Sequence, residues 1–149
     1  MKVSKPTLFF ILILTAGHLF SQSNQDFIII DEIADDITEL LVEFGNQPNV
    51  YVTDANTPDA LEQISGQLVN MSIADLHIYV PTKPGAIVFS SIAITSENVD
   101  ELPFDLTDWT KVISGKVVIH SDVVFTGEEG ILLKQQLENK SGVVFISQH

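Results

Sequence analysis

Short apolar runs alternate along the chain with segments whose apolar residues recur at helical spacing. Phe27-Ile28-Ile29-Ile30 is a continuous apolar run closed by Asp31, the pattern of a strand buried on both faces. Ile33, Ile37, Leu40, Leu41 and Phe44 then recur every three or four positions and predict a helix. Asp31, Glu32, Asp35 and Asp36 crowd its start, where the helix dipole favours acids, and Gly45 supplies a stop. Residues 50–53 read as a second strand. Asn56 or Thr57 can cap a second helix, with Pro58 near its first turn and Leu61, Ile64, Leu68 and Val69 on its apolar face. Residues 75–80 read as a third strand. A turn at 81–85 leads to a small hairpin, 86–89 and 92–94, split at Ser90-Ser91. Thr95 or Ser96 then caps a helical segment that Pro103 breaks, its second piece lying around 106–113. Residues 116–120 form a fourth strand. Thr126 caps a helix through Asn139 with Ile131, Leu132, Leu133 and Leu137 inward, and 143–146 is a fifth strand.

This alternation predicts an α/β fold: a three-layer α-β-α sandwich around a mostly parallel five-stranded sheet, with a small hairpin after the third strand. In such sheets, sites form beyond the carboxyl ends of the strands, where the strand order reverses. That places the candidate site in the loops after the third and fourth strands, 81–85 and 120–127.

The segment before the first strand changes the picture from a bare domain to an exported one. Lys2 and Lys5 precede an apolar stretch, Thr7 to Phe20, followed by Ser21-Gln22-Ser23-Asn24. These are the parts of a secretory signal peptide, expected to span 1–21. The stretch is interrupted by Gly17 and His18 and is short for a membrane span, so no membrane association is expected after cleavage. Leu19, at the −3 position for cleavage after Ser21, is larger than usual there. Residues 22–149 make one domain. They carry five lysines against 20 acidic residues, a formal charge of −15, which argues against nucleic acid as a partner. The chain has no cysteine, so disulfides, thiolate metal sites and thiol catalysis are excluded.

The two candidate loops also carry a resemblance. Leu76-His77-Ile78-Tyr79-Val80-Pro81-Thr82-Lys83-Pro84-Gly85-Ala86-Ile87 and Val118-Ile119-His120-Ser121-Asp122-Val123-Val124, then Gly127, Gly130 and Ile146-Ser147, follow in order the segments of a bacterial family. From about Phe27 to Gln148 the chain resembles domain of unknown function 4347, found in large secreted surface proteins. The resemblance implies a caspase-like, flavodoxin-like strand order and a bacterial source. In caspase-like peptidases a His-Gly pair after the third strand positions a base, and a Cys after the fourth is the nucleophile. Here the matching positions hold Pro81-Thr82 and Ser121, and His120 stands where the family has Gly. Proline has no titratable group, and a serine without a base within hydrogen-bond reach is a poor nucleophile. The resemblance therefore implies a scaffold without its chemistry.

Other residues offer fallback chemistry. His120-Ser121-Asp122 holds a serine, a histidine and an acid, but neighbours along a strand point to opposite faces. His77 is expected as a hydrogen-bonded core residue. If His77 and His120 faced the same side of adjacent strands, they could hold a metal with Asp122. The acids at 31–36 could hold calcium but lack a glycine-containing ligand loop. Gly127-x-x-Gly130 lacks a P-loop lysine and has Glu128 and Glu129 between its glycines. Trp109 and Phe104 are expected to pack the broken helix onto the sheet. Asn70-Met71-Ser72 and Asn139-Lys140-Ser141 match a glycosylation pattern that matters only in a eukaryote.

The sequence thus predicts an exported, periplasmic or cell-surface, non-enzymatic module without cofactor or metal. Its expected partner is a protein or another cell-envelope component. An unpaired edge strand would favour a homodimer. The alternative is a hydrolase around Ser121, His120 and His77.

Overall fold

The computed structural model describes residues 25–56, 59–102 and 106–148. The expected signal peptide, the Thr57-Pro58 helix start, the Pro103 break and Phe104 lie outside the described residues. In chain order the elements are β1 (Gln25–Asp31), α1 (Ile37–Phe44), β2 (Val50–Thr53), α2 (Ala60–Leu68), β3 (Ile73–Tyr79), β4 (Ala86–Val88) and β5 (Ala93–Thr95). Two 3₁₀ turns (Val99–Glu101 and Leu106–Asp108), α3 (Trp109–Val112), β6 (Lys116–His120), α4 (Gly127–Ser141) and β7 (Val144–Gln148) follow.

Five strands form one sheet in the order β2-β1-β3-β6-β7, each neighbour parallel, and β4 and β5 pair as a separate antiparallel hairpin. The sheet is the middle of three layers. Alternate strand residues Ile29, Leu76, Ile78, Val117, Ile119 and Phe145 pack with Leu61, Ile64, Trp109, Leu133 and Leu137 of α2, α3 and α4. On the opposite face, Ile28, Ile30 and Ala34 pack with Ile37, Leu40 and Phe44 of α1 and with Tyr79. Trp109 does pack its segment onto the sheet, stacked 6.4 Å from Phe145, and its indole N–H donates to the Ser65 hydroxyl at 3.0 Å. No helix among the described residues is long and apolar enough to cross a membrane.

Several local expectations are corrected. The first helix starts at Ile37, and Ile33 and Leu41 of its expected apolar stripe are exposed. The reason is Asp31: it is the last residue of β1 and fully buried, so 32–36 are spent turning out of the sheet. Asp59, not Asn56, caps α2, its carboxylate accepting the Leu61 N–H at 2.8 Å. Val69 lies past the end of that helix and is exposed. Neither Thr95 nor Ser96 starts an α-helix; Asn98 Oδ1 accepts the Thr95 N–H at 2.9 Å ahead of a single 3₁₀ turn. Thr126 holds the cap position of α4, but its hydroxyl donates to the Val123 carbonyl at 2.6 Å rather than capping.

In α4 the buried positions are Gly130, Leu133, Leu137 and Ser141, while Ile131 and Leu132 are exposed. With about 3.6 residues per turn, three consecutive residues cannot all face a flat sheet. The helix ends at Gly142, whose φ of 70° suits glycine and whose N–H donates to the Glu138 carbonyl at 2.9 Å. Leu133→Ala should therefore cost about 2–5 kcal/mol by opening a core cavity. Ile131→Ala on the same helix should change stability by about 0.5 kcal/mol or less. Denaturant unfolding of the two variants tests which side of α4 faces the sheet.

Candidate functional site

Two polar centres emerge. The first lies at the carboxyl ends of the strands, where topology places a site. Asp31 Oδ1 accepts the N–H of Ile33 at 3.1 Å and of Ser90 at 2.9 Å. Its Oδ2 accepts the hydroxyls of Thr53 at 2.6 Å and Ser90 at 3.1 Å. A carboxylate offers about four acceptor sites, so this one is filled. Asp35 accepts the Thr82 N–H at 2.7 Å, and Glu32 accepts the Ala55 N–H at 2.7 Å. The acids expected to serve the α1 dipole instead tie the loops after β1, β2 and β3 together.

The loops after β3 and β6 are also joined, the Gly85 N–H donating to the Val124 carbonyl at 3.0 Å. Gly130 lets α4 lie against this loop: a Cβ there would stand 2.6 Å from the Val124 oxygen. Its glycine serves close packing, and Glu128 and Glu129 occupy the first turn of α4. Pro81 is half-buried and Asp122 exposed. Ser121 is buried, and its hydroxyl has no hydrogen-bond partner among the described residues. β6 ends at His120, and the Ser121 N–H donates back to the Ile119 carbonyl at 2.9 Å, which turns the chain tightly at this point.

The second centre lies on the sheet face that α1 covers in part. Strand alternation puts Asp75, His77 and Tyr79 of β3 on this face beside Lys116 and His120 of β6. Register sets Tyr79 opposite His120 and His77 opposite Val118. The rings of Tyr79 and His120 stack at 3.8 Å, nearly parallel at 6°. His77 Nδ1 lies 2.9 Å from His120 Nε2, so the two imidazoles share one hydrogen bond. His77 Nε2 lies 3.6 Å from Asp26 Oδ2. Asp26 reaches this point because β3 carries an extra residue between the Gln25–Ile73 and Phe27–Leu76 pairs. Its Oδ1 accepts the Asp75 N–H at 3.1 Å. Asp75 in turn accepts the Lys116 N–H at 2.9 Å and pairs with its ammonium at 2.7 Å.

Charge follows this packing. Burial, then the His77 charge, lowers the His120 pKa to about 4, so this ring is neutral in neutral solution. Burial works to raise the Asp75 pKa, but the hydrogen bonds and charge of Lys116 outweigh it and hold the carboxyl below its ordinary value. Burial, with the Glu43 charge, raises the Tyr79 phenol. Asp26, Asp75 and His77 form a group able to hold a metal ion; neither Asp122 nor the acids at 31–36 form such a group among the described residues. His77 and His120 do meet, as their spacing allowed, but without Asp122. Asp26, Asp75, Tyr79 and Lys116 were not singled out from sequence. The i, i+2 spacing of Asp75, His77 and Tyr79 was a signal for one shared face, but their partners depend on register.

All of the described sheet except Gln25 and Asp26 at the start of β1 lies within a match to one family. Residues 27–148 match the family described as a domain of unknown function, DUF4347. The chain belongs to that family. No curated protein and no solved structure matches it. In this DUF4347 domain both polar centres fall inside the matched residues except Asp26, one position before them.

Each centre yields an expectation for stability. Asp31→Ala leaves buried donors unpaired and should cost at least about 1–3 kcal/mol, the cost of one such donor, read by denaturant unfolding. The folded His120 binds a proton less readily than the unfolded chain, whose histidine titrates near 6.5. Its contribution is therefore complete above about 6.5 and declines as pH falls toward about 4. Unfolding midpoints across this range should drop with acid, and the drop should shrink in His120→Phe. The depressed Asp75 carboxyl acts in a lower window, losing its contribution as pH falls below its ordinary value of 3.8.

Proposed function

We propose that this domain is an exported, non-catalytic, caspase-like module that works by binding a protein or cell-envelope partner. Ser121 carries the reading. A serine nucleophile needs a base within about 3 Å or one water further. Among the described residues the buried Ser121 hydroxyl has no hydrogen-bond partner, and His77 and His120 bond to each other. Pro81 supplies no base at the matching loop. Asp31 and Asp35, acids at the carboxyl ends that an enzyme of this topology would turn toward substrate, are engaged by loop N–H groups and hydroxyls. The parallel strand order β2-β1-β3-β6-β7 is compatible with the caspase-like scaffold.

A serine-reactive fluorophosphonate probe tests the reading against a hydrolase built on Ser121, His120 and His77. We expect no labelling of the purified protein. Labelling that disappears in Ser121→Ala would overturn the proposal.

A further inference from the structure

The cluster on the α1 side of the sheet brings together atoms of the kinds that ligate metal ions. Three ligand atoms, from Asp26, Asp75 and His77, lie within 4.8 Å of one another. The His77 Nε2 to Asp26 Oδ2 distance is 3.6 Å. This is long for a hydrogen bond. It is close to the edge of about 3.4 Å between two ligands on a tetrahedral ion with bonds near 2.1 Å. The second observation is the hydrogen bond on the far side of the ring, from His77 Nδ1 to His120 Nε2 at 2.9 Å. If His77 donates there, its Nε2 lone pair points toward the carboxylates. A bond from the ligating ring to an outer acceptor is the usual way a metal-binding histidine is oriented. The donor set also discriminates: an imidazole nitrogen suits zinc and similar ions, whereas calcium takes oxygen ligands.

We propose that Asp26, Asp75 and His77 bind one divalent transition ion of the zinc type, with His120 as the residue that positions the His77 ring. Lys116 opposes loading, because its ammonium sits 2.7 Å from Asp75 Oδ2 and competes for the same carboxylate. The ion has no part in the binding-module reading and stands or falls separately from it.

The test is calorimetric titration of tag-free purified protein with zinc chloride, each variant being checked for folding by circular dichroism. We expect one equivalent to bind in the presence of excess calcium. His77→Gln and Asp26→Asn should weaken binding by about tenfold or more, and His120→Phe by about 10–100-fold. Nitrogen NMR of the wild-type rings should show His77 protonated at Nδ1, a signature lost in His120→Phe. Asp122→Asn should leave binding unchanged. Lys116→Gln keeps all the ligands and should tighten binding, which covers the case of a ligand variant that fails to fold. No zinc uptake, displacement of zinc by calcium, affinity unchanged in folded His77→Gln, or affinity not increased in Lys116→Gln would each overturn the proposal.

Discussion

Every strand of the five-stranded sheet runs parallel to its neighbours, and the rest of the molecule is arranged around that constraint. Parallel strands cannot be joined by tight hairpins, so each connection must cross the sheet and lay its segment on a face. The segments between β2 and β3, β3 and β6, and β6 and β7 put α2, α3 and α4 on one face, while α1 covers part of the other. All carboxyl ends therefore gather at one edge, with their loops and unpaired backbone groups.

That edge explains the buried Asp31. The loops meeting there expose N–H and hydroxyl donors in a crowded space, and burying them unpaired would be costly. One carboxyl group takes four of them, from the turn after β1, from β2 and from the loop between β4 and β5. Asp35 and Glu32 do the same for the loops after β3 and β2. Groups that look available for chemistry in one dimension are engaged in holding the edge together.

The cluster on the sheet face follows from the same parallel pairing. Unshifted register between β3 and β6 sets Tyr79 beside His120, and the neighbouring His77 bonds to the same ring. The irregular pairing at the start of β1 brings Asp26 to the far side of His77. A neutral histidine bridged to a second histidine that faces two carboxylates is a polar device inside a face otherwise built from isoleucine and valine. Its parts come from three strands, which makes it a property of the sheet rather than of any motif.

The sequence alone determined the element order and the α/β class, because apolar periodicity and turn residues are local signals, and the ordered segments at 76–87 and 118–130 carried the family resemblance. It also showed that His120 and Ser121 should part, since neighbours on a strand point to opposite sides. It could not tell that Ile131 and Leu132 face away from the sheet, because an apolar run has no phase until the helix is docked. Nor did it separate the dipole reading of Asp31 and Asp35 from their actual partners, Ser90 and Thr82, which are 59 and 47 residues away. The His77–His120 bond spans 43 residues and exists only in one register. Local propensity acts over a few residues, whereas register and burial are set by the whole sheet. Tertiary structure alone therefore decided which acids are buried and which histidines meet.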